Sequence, residues 1–300
     1  MMKQTMALIA VFSLLLLVAG CDTKKAETQQ RGGYLGGTQG IIGVFEPFGG
    51  EEEGVYAIYE TETFPLSVAL KNKGEYELKP NDVTVKLLGP AREEIQGLSS
   101  WELKNRQTIE KISELVPDGG EEVISFATDA KFKTDITGYT DRQWFANVEY
   151  KYLTEIVIPE VCLKEDIQDP RVCEIREDKA FFVSGAPITT EAVKEDTAGK
   201  GVVALKILVK NVAGGRVTKV SEDFGIRDIL SFRIDDPAWE CKSGGKDNEA
   251  RLIDGKTEIV CKLKDPLPAD TISTKQVKVT LEYKYRELIQ ETLRLKESIE

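Results

Sequence analysis

Apolar and polar residues alternate along several stretches of the chain. Five runs place an apolar residue at every second position: 64–70, 83–87, 203–209, 230–234 and 277–285. Turn residues separate the runs, and a period of two is typical of strands that bury one face. Because strands dominate, we predict an all-β protein whose antiparallel strands pack as β-sandwiches.

Two short sequences occur twice in the same order. Residues 148–152, Val-Glu-Tyr-Lys-Tyr, recur as Leu-Glu-Tyr-Lys-Tyr at 281–285, an offset of 133 positions, and 69–74 has a looser echo at 208–214. Similar offsets predict a duplicated unit. The tyrosines share the apolar phase of their strands, which favours packing in the core; a carbohydrate-stacking platform is the alternative.

Two segments fit both a helix and a strand. Residues 100–115 have a helix-prone composition, yet they align with strands and a loop in the second copy. In the segment 286–300, Ile289, Leu293 and Leu295 continue the odd-numbered phase of the preceding strand. Alignment with the first copy favours a strand as far as Leu295.

The first twenty residues have the three parts of a secretory signal: Lys3, an apolar run at 6–18, and small residues before Cys21. The run is too short for a comfortable membrane span. Residues 18–21, Val-Ala-Gly-Cys, resemble a lipobox, in which the cysteine becomes the lipid-modified first residue. We predict lipidation at Cys21 and an extracytoplasmic location; an uncleaved anchor or a signal without lipidation are the alternatives.

Composition indicates how the rest of the chain is divided. A chain of 300 residues has a prior of two domains, and the polar, glycine-rich start of the mature chain is typical of a flexible tether. Apolar residues from Ile41 onward predict the first strand. The predicted division is a signal peptide at 1–20, a tether at 21–39, a first β-sandwich at 40–163, a disulfide loop and linker at 164–177, a second β-sandwich at 178–295 and a tail at 296–300.

Four cysteines follow Cys21, at 162, 173, 241 and 261. An even number in an exported chain favours two disulfide bonds, and four cysteines allow three connectivities. We favour Cys162 with Cys173 and Cys241 with Cys261, because each pair flanks a polar, turn-rich segment. A zinc site is the alternative, but the paired knuckle spacing of such sites is missing.

The charged composition narrows the chemistry. The chain has no histidine and a formal charge of −11, so Ser-His-Asp, Cys-His and histidine-zinc chemistries are excluded and nucleic acid is not an expected partner. No phosphate-binding loop or nucleophile elbow is present. Clustered carboxylates such as Asp235 and Asp236 suit calcium but lack an EF-hand spacing. We expect no catalytic residue, no metal site and no cofactor.

The lipobox, the Lys-Asn-Lys-Gly turn and the tyrosine strands together resemble a family of archaeal-type secreted lipoproteins with tandem immunoglobulin-like domains, of the broad kind that includes CARDB-like adhesion modules. The resemblance covers most of 38–295. It implies extracellular display, spacing or adhesion and supplies no catalytic residue. The matching segments are 37–40, 71–74, 82–85, 148–152, 184–187 and 210–215.

The resulting hypothesis is a protein held at the membrane by lipid on Cys21. Its two immunoglobulin-like domains would act in adhesion, in cell-envelope architecture or in binding an extracellular protein partner. The alternative is a lipoprotein that binds a carbohydrate or an ion for transport. That alternative requires a concave pocket with convergent polar groups.

Overall fold

A computed structural model describes residues 33–175 and 177–298. These residues form strands and one short 3-10 helix, η1 (Arg92–Glu94), so the expected all-β class is confirmed. In chain order the strands are β1 (Ile41–Phe45), β2 (Gly50–Glu52), β3 (Val55–Tyr59), β4 (Phe64–Asn72), β5 (Val83–Gly89), β6 (Ile95–Gln96), β7 (Glu102–Lys104), β8 (Glu121–Phe132), β9 (Tyr139–Lys164), β10 (Phe182–Val183), β11 (Ile188–Gly199), β12 (Val202–Asn211), β13 (Arg216–Thr218), β14 (Asp228–Ile234), β15 (Trp239–Ser243), β16 (Lys246–Asp247), β17 (Glu249–Leu252), β18 (Lys256–Leu263) and β19 (Ile272–Lys296).

The strands belong to three sheets. The first sheet has the order β1-β4-β8-β6, and the second sheet has the order β11-β12-β18-β15-β16. The ten-stranded central sheet contains β17-β14-β19-β9-β5-β7, with β2, β3, β10 and β13 at its margins. The central sheet buries one face, here called its core face, and its opposite face is called the open face.

The alternation read from the sequence is an alternation of burial. In β4, Phe64, Leu66, Val68 and Leu70 are buried while the residues between them are partly or fully exposed. The runs in β5, β12, β14 and β19 also form the predicted strands. Burying one face of each strand is what produces this two-residue period.

The two ambiguous segments both lack a helix. Residues 100–115 contain β7 and then an irregular stretch in which Ile109 exchanges backbone hydrogen bonds with Leu78. The side chain of Asn105 holds this stretch extended: it accepts from Val83 N (2.9 Å) and donates to Lys79 O (2.9 Å). The segment that begins at 286 is a strand, as expected: β19 continues through Leu295 to Lys296.

The long strands β9 and β19 are antiparallel neighbours along almost their whole length. Their pairing runs from Ile272↔Lys164 to Lys296↔Tyr139, with one register shift near Val277. One strand comes from each copy of the repeat. The two copies are therefore joined edge to edge in a single sheet.

Each long strand also reaches into the other half of the molecule. The second part of β9 pairs with β10 from the second copy, and the end of β19 pairs in parallel with β3 from the first copy, Leu293 opposite Tyr56. Arg31–Glu300 consequently form one compact unit. The sequence predicts two tandem sandwiches, whereas the two halves of the structure are interlocked through β9 and β19. The predicted end of the first domain, 163, lies in the last two residues of β9, and the predicted start of the second, 178, lies in the connection before β10.

Candidate functional site

Two disulfide bonds join the cysteine pairs that the sequence favours. Cys162 at the end of β9 is bonded to Cys173, and Cys241 of β15 is bonded to its cross-strand neighbour Cys261 of β18. The first bond fixes a surface loop to the central sheet. The second ties two strands of the second sheet. Cys21, the predicted lipidation site, lies outside the described residues.

The repeated tyrosines meet at the centre of the interlocked halves. Tyr150 lies opposite Tyr285, and Tyr152 lies opposite Tyr283, with ring centroids 5.7 and 6.4 Å apart. All four are at most 1% exposed. The carbohydrate-stacking alternative for these residues is therefore wrong, because a sugar would need an accessible ring.

The Lys-Asn turn and the tyrosine strand of each copy form the same hydrogen-bonded unit. Tyr285 Oη donates to Asn211 Oδ1 (2.7 Å) and accepts from Gly215 N (2.7 Å). In the first copy, Tyr152 Oη donates to Asn72 Oδ1 (3.2 Å). The two short sequences that recur are thus partners in space, which explains why they recur together.

The two copies differ in a polar residue beside the tyrosines. Thr154 bonds the hydroxyl of Tyr283 (2.9 Å), whereas Glu287, 133 positions later, accepts from Tyr150 Oη (3.4 Å). Burial raises the pKa of Glu287 to about 7, and the hydrogen bond from Tyr150 opposes the rise. A partly exposed titratable group therefore lies beside the tyrosine core that both halves share.

A second buried ionisable cluster lies near the Cys162–Cys173 bond. Lys179 Nζ is 2.5 Å from Glu177 Oε1 and 2.7 Å from Glu195 Oε2, and the side chain of Glu195 is 0% exposed. Burial raises the pKa of Glu195, and the ammonium group of Lys179 opposes this rise. Glu177 and Lys179 lie in the connection that follows β9, and Glu195 lies in β11. The cluster therefore joins this connection to the second sheet.

The carboxylates of Asp235 and Asp236, noted in the sequence, bind basic and backbone groups of the same chain. Asp236 Oδ2 lies 2.7 Å from Lys275 Nζ, and Asp235 Oδ1 accepts from Lys278 N (3.0 Å). Within residues 33–175 and 177–298, no three histidine, cysteine or acidic side chains are grouped so that they could hold a metal ion. Local cations and backbone donors neutralise these carboxylates.

Cavities in the described part of the chain are open to solvent. One of about 460 Å³ lies inside the Cys162–Cys173 loop, between Lys164 and Ile175, and one of about 440 Å³ lies between β14 and β15. The ammonium of Lys164 points into its own loop, where it donates to Asp169 O (2.6 Å) and to Cys173 O. The ammonium group of Lys164 therefore stabilises the loop.

The open face of the central sheet carries many charged side chains. Along β5, 139–157 of β9 and 278–296 of β19, seven basic side chains and four acidic ones point to this face. Acidic residues beside these strands pair with four of the cations, and the positive charges of this face are therefore balanced: Glu52 pairs with Lys296, Asp82 with Lys151, Glu102 with Lys86 and Asp223 with Lys284. The basic residues are Lys86, Lys151, Lys278, Lys284, Arg286, Arg294 and Lys296; the acidic residues are Asp141, Glu149, Glu155 and Glu282.

Cross-strand ion pairs order this face. Arg286 lies 2.7 Å from Glu149, Arg294 lies 2.8 Å from Asp141, and Lys278 contacts Glu155. Exposed apolar and aromatic side chains lie among the charges: Leu88 (49%), Tyr139 (68%) and Leu288 (60%). The face is therefore mixed in character, with long cationic side chains beside accessible apolar ones.

The segment before β1 is fastened to this region. Tyr34 Oη donates to Glu155 Oε2 (2.8 Å), and the carboxylate of Glu75 accepts from the backbone N–H groups of Leu35, Gly36 and Gly185 at 2.7–2.9 Å. Residues 33–39, which composition assigns to the flexible tether, are instead tied to both halves. Composition cannot reveal a carboxylate that arrives from forty residues away.

The structure is thus an all-β protein of three sheets, with a buried tyrosine core and a central sheet whose open face carries charged and apolar side chains. No family model matches the chain, and the comparisons with curated proteins and with solved structures found no match either. No helix in the described ranges is long and apolar enough to cross a bilayer.

Proposed function

We propose that this is a lipid-anchored, extracytoplasmic protein whose two immunoglobulin-like halves are displayed to bind a protein partner, in adhesion or in the architecture of the cell envelope. The observation that carries the proposal is the pair of disulfide bonds, Cys162–Cys173 and Cys241–Cys261. Such bonds persist in oxidising compartments, and the lipobox-like sequence ending at Cys21 supplies a matching route of export.

Exposed side chains on the first sheet support a role in protein contact. Val44 and Val123 are 55% and 51% exposed, and both flank Ala69 in one row across β1, β4 and β8. Accessible apolar residues in a row on a rigid sheet are typical of a docking surface. The proposal assigns no catalytic residue and no cofactor.

Metabolic labelling with a lipid precursor tests the anchor. Labelled lipid should enter the wild-type protein and be absent from the Cys21→Ser variant, while Cys241→Ser, with Cys21 intact, should still be labelled. Equal incorporation in wild type and Cys21→Ser would contradict lipidation at this residue.

Crosslinking on intact cells tests partner binding. A photoreactive residue at Val44 or Val123 should capture one defined protein, and the same probe at the exposed position Asp265, outside this row, should not. Capture of no protein from either sheet position, together with a sugar or cation that raises the melting temperature, would favour the ligand-binding alternative instead.

A further inference from the structure

The first sheet has one edge that is largely uncovered. β4 pairs with β8 along one side, but on the other side β6 pairs only with the last two residues of β8. Ser99 N donates to Phe126 O (3.0 Å), so the uncovered stretch is 121–125. In the part of the chain that the structure describes, no other strand pairs with β8. An uncovered edge of this kind is a template for pairing with a further strand.

The equivalent edge of the second half is covered over a longer stretch. There β15 pairs with four residues of β18, from Trp239↔Leu263 to Lys242↔Val260, and a disulfide bond joins the two strands. β8 and β18 are equivalent because each pairs with the strand that ends in Lys-Asn, β4 in the first copy and β12 in the second. The first half therefore leaves open an edge that the second half covers with its own chain.

The backbone groups of the open edge face outward in a regular order. Asn72 N of β4 donates to Gly120 O (3.0 Å), and the backbone groups of an antiparallel strand face a given neighbour at every second residue. The even-numbered residues that follow therefore face β4. Glu121, Val123 and Ser125 present their N–H and C=O groups to the open side, and all three are exposed.

This edge is complementary to itself. If two copies of β8 meet antiparallel about a two-fold axis at Val123, each Val123 faces its counterpart and Glu121 faces Ser125 of the second copy. All three outward-facing residues then have backbone partners, and no two like charges lie opposite each other. The apolar row of Val44, Ala69 and Val123 continues without a break into the second copy.

The carboxylates at this edge are already bound within the chain. Glu121 lies 3.8 Å from Lys71 Nζ on β4, and Glu122 accepts from Arg106 N (2.7 Å) and Gln107 N (3.1 Å). A groove of about 150 Å³ lies between β8 and the residues around β7. Both carboxylates keep their partners when a second strand pairs with the edge, because neither contact uses the outward-facing backbone groups.

We propose that the open edge of β8 pairs with the same edge of a second copy of the chain, which gives a two-fold dimer with one continuous sheet. The proposal rests on the docking row of the proposed function and deepens it by naming a second copy as a partner of the first sheet. The chain already joins its own halves in this manner, since β9 and β19, the same strand of the two copies, pair antiparallel.

Sedimentation of the compact unit 31–300, with both disulfides intact, tests the dimer without an anchor or a cellular partner. The share of dimer should rise with protein concentration between about 1 μM and about 1 mM, because so short an edge makes a small interface. Val123→Lys places two ammonium groups opposite each other and should weaken the dimer about fivefold or more. Val44→Lys makes the same change on β1, at the far edge of the same sheet, and should associate like wild type.

An exchange of charge tests the register. Val123→Glu should weaken the dimer as Val123→Lys does. An equal mixture of the two variants should associate at least as well as wild type, because the axis at Val123 makes a lysine face a glutamate. If a charged variant does not fold, as checked by circular dichroism, Val123→Pro removes an N–H that faces the open side and should give a folded monomer.

Three results would overturn the proposal: a monomer at every concentration, equal weakening by Val123→Lys and Val44→Lys, or a mixture of the two charge variants that stays monomeric. A monomer in solution, together with capture of a different protein at Val123 on cells, would overturn the dimer and support the proposed function. A dimer in solution without such a capture would do the reverse, so the two proposals can fail independently.

Discussion

Lys151 of β9 lies directly opposite Lys284 of β19, and the two occupy the same position in the two copies of the repeat. Equivalent residues can face each other across an antiparallel pair only at a local two-fold axis. The axis therefore passes between these lysines. It explains why Tyr150 pairs with Tyr285 while Tyr152 pairs with Tyr283.

The end of β19 should stabilise the first half of the molecule. Leu293 is fully buried opposite Tyr56 of β3, so Leu293→Ala should cost about 2–5 kcal/mol in the free energy of unfolding, measured with urea. Amide exchange in β3 should accelerate as well. Leu288→Ala, at an exposed site on the same strand, should change stability by less than about 0.5 kcal/mol. Unchanged exchange in β3 would contradict the interlocking.

The hydroxyl of Tyr285 should matter more than its size suggests. Tyr285→Phe leaves Asn211 Oδ1 and Gly215 N without this partner in a buried site, and we expect a loss of about 1–3 kcal/mol. Urea denaturation gives the value. Tyr139→Phe, at a ring 68% exposed, is the control and should be close to neutral. Equal effects of the two substitutions would exclude a special role for the Asn-Tyr pair.

Stability should depend on pH through Glu287. Its pKa rises to about 7 in the folded chain, above about 4.3 in an unfolded one, so the folded state binds the proton more tightly. The stabilising contribution of protonated Glu287 is therefore fully present below about pH 4 and is lost as pH rises through 7. Glu287→Gln should flatten the curve of unfolding free energy over this interval. Parallel curves for wild type and variant would contradict the raised pKa of Glu287.

Loss of the cross-strand disulfide should be costly. The Cys241–Cys261 bond spans 20 residues, and Cys241→Ser with Cys261→Ser should lower stability by about 3 kcal/mol in the chain-entropy account. Denaturation with and without reductant provides the measurement. A variant that lacks all four cysteines should no longer respond to reductant. A response that persists there would mean that reductant acts elsewhere.

The strands could be predicted because the alternation of apolar and polar residues within each strand shows which side chains are buried. Every second residue of β4 and β12 is apolar, and that alone specifies a strand and its buried face. The pairing of strands between the two halves has no such local pattern. The alternation in β19 is the same whichever strand lies beside it, so the sequence could not place Leu293 against β3.

Other features also depend on residues that are distant in the sequence. Residues 100–115 fit both a helix and a strand in the sequence, and the hydrogen bonds of Asn105 to backbone groups at Lys79 and Val83 keep the segment extended. Within the predicted tether, Leu35 and Gly36 donate to Glu75, a contact that composition does not show. The open face could have been suspected from the even-numbered residues of β19, but only the structure places β5 and β9 beside them.

The pairing of β9 with β19 sets the order in which the chain can fold. The first half cannot close around Trp144 until the end of β19 is available, because Leu293 and Leu295 complete its buried layer beside β3. These residues lie far from the first half along the chain. The first half therefore cannot finish folding before β19 is present, and pairings across more than a hundred residues make folding slow. Until then the edge of β9 that β19 covers stays unpaired, which leaves the partly folded chain open to aggregation through that edge.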